Sequence, residues 1–254
     1  MSWRQPCAGF VLALLLTACG TPTPGPRLDS ILGPSEEAAT TDWSRLGAGS
    51  RVVLVVVQDA SGPGAAPALS PRGVEFLAHQ TKARLEGALP LTVVAVVSSS
   101  DLNRDGREGR LPLQTLASRH QVETVAVAVY SAVEVEDPQP LPLDGNRGGG
   151  GAMGRLPGVV TSVFARSDLA LVDAASGRRL VQSHGQTSVS LEQLARGMAS
   201  NAFPAFYREG GSQRIAAPPD SAEAHDALRG LAFDDALEHA TYDLSAQWKA
   251  RPAP

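Results

Sequence analysis

Cysteine is almost missing from this chain. Of 254 residues only Cys7 and Cys19 are cysteines, and both lie at the N-terminal end. The rest of the sequence can form no disulfide, and it offers neither a cysteine-based zinc site nor a thiol nucleophile. Its stability must come from a packed core. Aromatics are scarce at 5%, whereas Gly and Pro number 25 and 19. The net charge of −4 is small and basic residues nowhere cluster, so a nucleic-acid partner is not expected. No apolar run reaches the roughly 20 residues that a membrane-spanning helix needs. HExxH and GxSxG are absent, and His79, His120, His184, His225 and His239 show no paired metal spacing.

What is present begins at the N-terminus. Arg4 precedes a short apolar run, Phe10 to Leu16, and small residues follow. A basic start, an apolar core and a small-residue cut site describe an export signal over residues 1–18. The end of that segment, Leu16, Thr17, Ala18 and Cys19, resembles the lipobox of bacterial lipoproteins. The resemblance implies cleavage before Cys19 and acylation of its thiol. Each buried CH₂ of such a lipid stabilises membrane binding by about 0.8 kcal/mol, and more than one chain makes the anchor stable. In that family an Asp after the cysteine favours inner-membrane retention. Gly20 stands here, so the resemblance implies the periplasmic face of the outer membrane. An ordinary secretory signal with a chance cysteine is the alternative.

About 235 residues follow the signal, enough for one good-sized domain with tails or for two small ones. Residues 19–50 are rich in Pro, Gly, Ser and Thr and read as a flexible tether, averaging about 30 Å end to end. Leu28, Ile31, Leu32 and Trp43 are candidates for docking on the domain or on a partner, the alternative being that they are loosely ordered. Residues 51–212 read as an α/β domain with a mixed sheet: a βαβαβ start, then an antiparallel strand pair, with flanking helices. Arg51 to Val57 is a β-branched run suited to a strand covered on both faces. Ser70 and Pro71 mark a helix start. Val74, Leu77, Ala78, Thr81, Leu85 and Ala88 give that helix an apolar stripe. Leu91 to Val97 is the next strand, and a right-handed crossover should join the two. A short helix over Leu113 to Gln121 precedes a strand from Val122 to Glu136, whose second half alternates and should have one wet face. Val159 to Val172 and Arg179 to Leu191 form a strand pair with Gly177 in the turn. Ser190 to Gln193 fits a capping box, which predicts a helix from Leu191 to near Pro204. Residues 213–254 read as a linker and a helix from about Ser221 to Lys249. Phe233, Leu237, Ala240, Leu244 and Trp248 form its apolar stripe, which either packs on the domain or binds a partner.

Between the antiparallel strands lies Asp137 to Gly158, with four prolines and the run Gly148 to Gly151. A connection of this length is expected to be mobile and to bind a partner, with Arg147, Met153 and Arg155 as contacts. Asp101, Asn103, Asp105 and Gly106 match the first half of a calcium loop, but Pro112 stands where a bidentate Glu is required. The Gly145 to Gly154 segment lacks the Lys-Ser/Thr pair of a nucleotide loop. No metal and no cofactor are therefore expected. His184 could approach Asp168 across the hairpin, which leaves a periplasmic hydrolase as the alternative function.

The order of elements, with VETVAVAVYSAVEVE (Val122 to Glu136) and LALVDAASGRRLVQSHG (Leu169 to Gly185), resembles the periplasmic domains of the curli-secretion lipoproteins and of the lipoprotein activators of penicillin-binding proteins. The resemblance covers roughly Arg51 to Tyr207. No pair of membrane-spanning amphipathic hairpins is present, so a pore is not implied. What the resemblance implies is a non-catalytic envelope lipoprotein, anchored to the membrane through Cys19 and docking on another envelope protein. The anchor predicts that Cys19→Ser removes the acyl mass and releases the protein from the membrane pellet. Unchanged mass and fractionation in that variant contradict the lipobox assignment.

Overall fold

The computed structural model describes residues 23–34, 43–44, 46–47, 49–62, 64–98, 111–142, 154–195, 203–210 and 214–251. Its elements are α1 (Leu28–Leu32), β1 (Ser50–Asp59), α2 (Pro71–Ala88), β2 (Leu91–Ser98), α3 (Leu113–His120), β3 (Thr124–Pro142), β4 (Arg155–Asp173), β5 (Arg179–Leu194), β6 (Ala205–Arg208), β7 (Arg214–Ala216) and α4 (Ser221–Lys249). The strands form one mixed sheet in the order β2-β1-β3-β4-β5-β6-β7. β1 lies parallel to both β2 and β3, and every other pairing is antiparallel. The expected α/β class and mixed sheet are thus observed.

Alternating residues of β1 divide the interior. Val52, Leu54 and Val56 face the helices α2 and α4, whereas Val53, Val55 and Val57 face α1 and α3. Both faces of a parallel pair are buried, which is why the sequence there is a continuous β-branched run. Ser70 caps α2, its Oγ accepting from the Gly73 N–H at 3.1 Å, with Pro71 in the first turn. Gly177 takes φ +71° in the turn between β4 and β5. Tyr130 is buried against Phe233, ring centroids 5.5 Å apart. Thr81 donates to the Leu77 carbonyl, so at 2.7 Å the Tyr130 hydroxyl donates to Thr81. Burial holds that phenol protonated well beyond its ordinary range.

Several expectations are corrected. Over the described residues 191–195 the predicted helix from Leu191 is not formed, and the rest of its range to 202 lies outside the described residues. Residues 190–194 continue β5, paired with β4 and β6, because Val189 and Leu191 point into the core at strand spacing. The hairpin of β3 and β4 is also longer than expected: 137–142 and 155–158 belong to the strands, ending at Pro142 opposite Arg155. Pro138, Pro140 and Pro142 alternate, and Pro140 faces Pro157. Two prolines can oppose each other only where neither residue owes a hydrogen bond to the other strand. The missing N–H groups of Pro138, Pro140 and Pro142 therefore point to the free edge of β3, where proline is tolerated, while Pro157 faces the end of β5. Of the proposed tether, Pro24, Leu28, Ile31 and Leu46 are buried on the domain. Trp43 meets Trp248 edge to face at 5.1 Å, and the Arg251 guanidinium lies over Trp248.

The C-terminal stripe packs inward. Phe233 and Leu237 are 1% and 0% exposed, so neither can serve as the partner contact considered above. α4 comes so close to β5 that a Cβ at Gly185 would overlap the backbone of Ala236 and Ala240. Backbone cannot swing aside as a side chain can. Gly185→Val should therefore cost about 3 kcal/mol or more, read as a fall in the urea midpoint, whereas Gln182→Val on the exposed side of the same strand should change little.

Candidate functional site

A cavity of about 610 Å³ lies at the carboxyl ends of the parallel strands β1 and β2. It exists because α2 begins there. The β1-α2-β2 crossover lays α2 over the strands, and its first turns stand off from β2. Val56, Leu69, Val74, Leu77, Ala78 and Val96 give the walls. Gln58, Glu75, His79 and Ser98 supply the polar rim. Val96 is 38% exposed, and Phe76 on the adjacent turn is also exposed. Gln58 Oε1 accepts the Leu69 N–H at 3.0 Å, and Asp226 of α4 accepts from both the Ser70 N–H (2.9 Å) and its hydroxyl (2.6 Å). The mouth of the cavity is thus built on clamped backbone. Beside it, β2 is an end strand of the sheet. The Val93 N–H is occupied by Glu86 Oε1 at 2.9 Å. An apolar cavity with a sparse polar rim at the carboxyl ends of parallel strands has the size and position of a binding site.

A second, polar recess of about 340 Å³ adjoins α1. The Arg27 N–H donates to Asp168 Oδ2 at 3.0 Å, while Arg166 donates to Asp168 Oδ1 at 2.8 Å. Arg27 Nε is 3.4 Å from Asp59. Arg179 binds Asp29 Oδ1 at 2.7 Å and donates to the Gly33 carbonyl at 2.7 Å. Asp168 pairs with His184 in register, and both line this recess with Ser183. They do not make a hydrolytic set. Both Asp168 oxygens are engaged elsewhere, and Ser183 precedes His184 in one strand, so their side chains leave opposite faces.

A third group sits under the start of α4. Glu134, Glu136 and His225 bring ligand-type atoms within 4.8 Å of one another. His225 Nδ1 is 2.9 Å from Glu134 Oε1, and Arg229 Nη1 donates to Glu134 Oε2 at 3.1 Å. Arg229 is buried and already balances that carboxylate, so the group acts as an ion-pair link between β3 and α4. The alternation expected in the second half of β3 fails at one pair: Val135 is 41% exposed and the Glu134 side chain is largely covered, whereas Glu136 is exposed.

Of the residues singled out from sequence, Phe233 and Leu237 are core, and Trp248 is half-buried against Trp43. Arg155 is exposed at the start of β4. Cys19, Arg147, Met153 and the calcium-like Asp101, Asn103 and Asp105 lie outside the described residues. Val74, Ala78 and Val96 were legible as helix and strand positions. The gap between them was not, because it depends on how α2 crosses β2. Among the described residues no helix is long and apolar enough to cross a membrane.

No protein-family model and no curated protein sequence matches the chain. Similar solved structures include a homolog of a neuraminyllactose-binding hemagglutinin from Helicobacter pylori, with TM-score 0.42, 14% identity, 84% of this chain and 91% of that one covered. The PelC dodecamer of Paraburkholderia phytofirmans has TM-score 0.28, 11% identity and coverage of 75% and 91%. A lipoprotein from Neisseria meningitidis has TM-score 0.28, 13% identity and coverage of 59% and 88%.

The Asp168 geometry separates a structural from a catalytic role. Asp168→Ala leaves Arg166 buried without its counter-charge and should cost about 3 kcal/mol. His184→Ala, at an exposed position, should stay within about 0.5 kcal/mol. Urea unfolding of the two variants is the measurement, and equal losses would contradict the assignment.

Proposed function

We propose that this chain is a lipid-anchored, non-catalytic binding protein of the bacterial cell envelope. Cys19 holds it at the periplasmic face of the outer membrane, and the 610 Å³ cavity receives an apolar segment of an envelope partner. The observation that carries this reading is the cavity itself, open beside an end strand and lined by the exposed Val96. Apolar side chains entering it would be removed from water at about 25 cal/mol per Å² buried. An extended segment could also pair with the outer edge of β2, since strand addition supplies main-chain hydrogen bonds while pockets select side chains. Gln58, Glu75, His79 and Ser98 would set orientation at the rim. No nucleic acid and no cofactor enter this reading.

A photo-crosslinking residue at Val96, installed in cells, tests it against the same residue at Tyr242, an exposed position on α4. The expected result is one discrete envelope adduct at 96 and none at 242. Ala68→Trp, which fills the mouth from an exposed position, should abolish that adduct. Adducts at both positions, or an adduct indifferent to Ala68→Trp, place recognition elsewhere.

A further inference from the structure

We infer that the N-terminal strap holds the α1 face of the domain directly against the membrane, so that the polar recess beside α1 looks onto lipid headgroups. The inference rests on the Cys19 anchor proposed above. Its own evidence is where the chain becomes bound. Pro24 is buried, and Leu28 and Ile31 enter the core between α1 and the sheet. The Arg27 N–H is fixed to Asp168, the Asp29 carboxylate to Arg179, and the Gly33 carbonyl to the same guanidinium. Both ends of α1 are therefore clipped by residues of β4 and β5.

This changes the length of the leash. From Cys19 to Ser50 a free chain of this length could extend to roughly 100 Å, and the domain could then present any face to the bilayer. With the strap docked, only the steps from Cys19 to Pro24 remain, at most about 18 Å. A leash that short is smaller than the domain it holds. The attachment point must then stay near the membrane, and the attachment point is on the α1 face. α2 packs on the other face of the sheet, in the core cluster opposite α1. The cavity between α2 and β2 is thereby turned away from the lipid, toward the space where an envelope partner would lie. The recess presents Asp29, Asp243, His184 and Gln247 beside the internally paired Arg166 and Arg179. Its charges are largely balanced, as suits polar contact with headgroups and water rather than insertion among acyl chains.

The mature chain has no thiol other than the acylated one, so single cysteines can be labelled cleanly. Full-length lipidated protein carrying Ser30→Cys or Ala83→Cys is labelled with a fluorophore. It is then bound to vesicles of phosphatidylethanolamine and phosphatidylglycerol containing a headgroup-nitroxide lipid. Both positions are exposed, on α1 and α2 respectively. The expected result is strong quenching at 30 and little at 83. A long Ser-Gly spacer inserted after Gly20 leaves the folded domain untouched and should remove the difference. Equal quenching at the two positions, or a difference that survives the spacer, overturns the apposition while leaving the anchor standing. Mass spectrometry of the same sample reads the anchor separately. Absence of acyl mass on Cys19 overturns the anchor and the apposition with it.

Discussion

Everything in this fold depends on the double backbone pairing of β3. One edge of its first half is parallel to β1, and its other edge runs antiparallel to β4 over its full length. The βαβ part and the antiparallel part share no other strand. Were β3 to slip by one residue, Tyr130 and Ala128 would exchange faces with Val129 and Val127, and both core clusters would lose their packing together. The long run from Thr124 to Ala132 can serve both partners because both faces of the sheet are covered there, so it needs no polar side.

Arginine supplies the long-range ties. Arg27 reaches Asp59, Arg179 reaches Asp29, Arg229 reaches Glu134, and Arg84 reaches Asp234. Each joins segments far apart in sequence, and most are partly or wholly shielded from water. A shielded ion pair adds little net stability, because desolvation offsets the attraction. Its effect is on which arrangement is chosen, since a wrong docking of α1 or α4 strands a charge. The planar guanidinium, with several fixed donors, suits this role better than a lysine ammonium does.

Regular periodicity made much of the architecture legible. The stripe of α2, the β-branched run of β1, the Gly177 turn and the limits of α4 all follow from local spacing. What escaped were positions whose local signal pointed one way and whose tertiary surroundings pointed the other. Ser190 to Gln193 has the residues of a helix cap, but Leu191 and Val189 are held by β4 and β6. Pro138, Pro140 and Pro142 resemble a loop until it is seen that all three face a free edge. Phe233 and Leu237 looked equally suited to a partner, because an apolar stripe does not name what covers it. The cavity is absent from any sequence window, because its walls come from α2, β1, β2 and the segment before α2 together. The ion pair of Arg179 with Asp29 and the bond from the Arg27 N–H to Asp168 join segments more than a hundred residues apart, beyond any local pattern.

The contact between α4 and the sheet also bears on the order of events in time. α4 follows every strand of the sheet, yet Ala232, Phe233, Ala236, Leu237 and Ala240 form the roof over the core that β1 begins. A polypeptide emerging N-terminus first has its strands available long before that roof. Until α4 is delivered, Val163, Ala165, Leu169 and Leu171 lack their cover on that side, and the sheet cannot close. The chain's own topology thereby postpones compaction until α4 has been made.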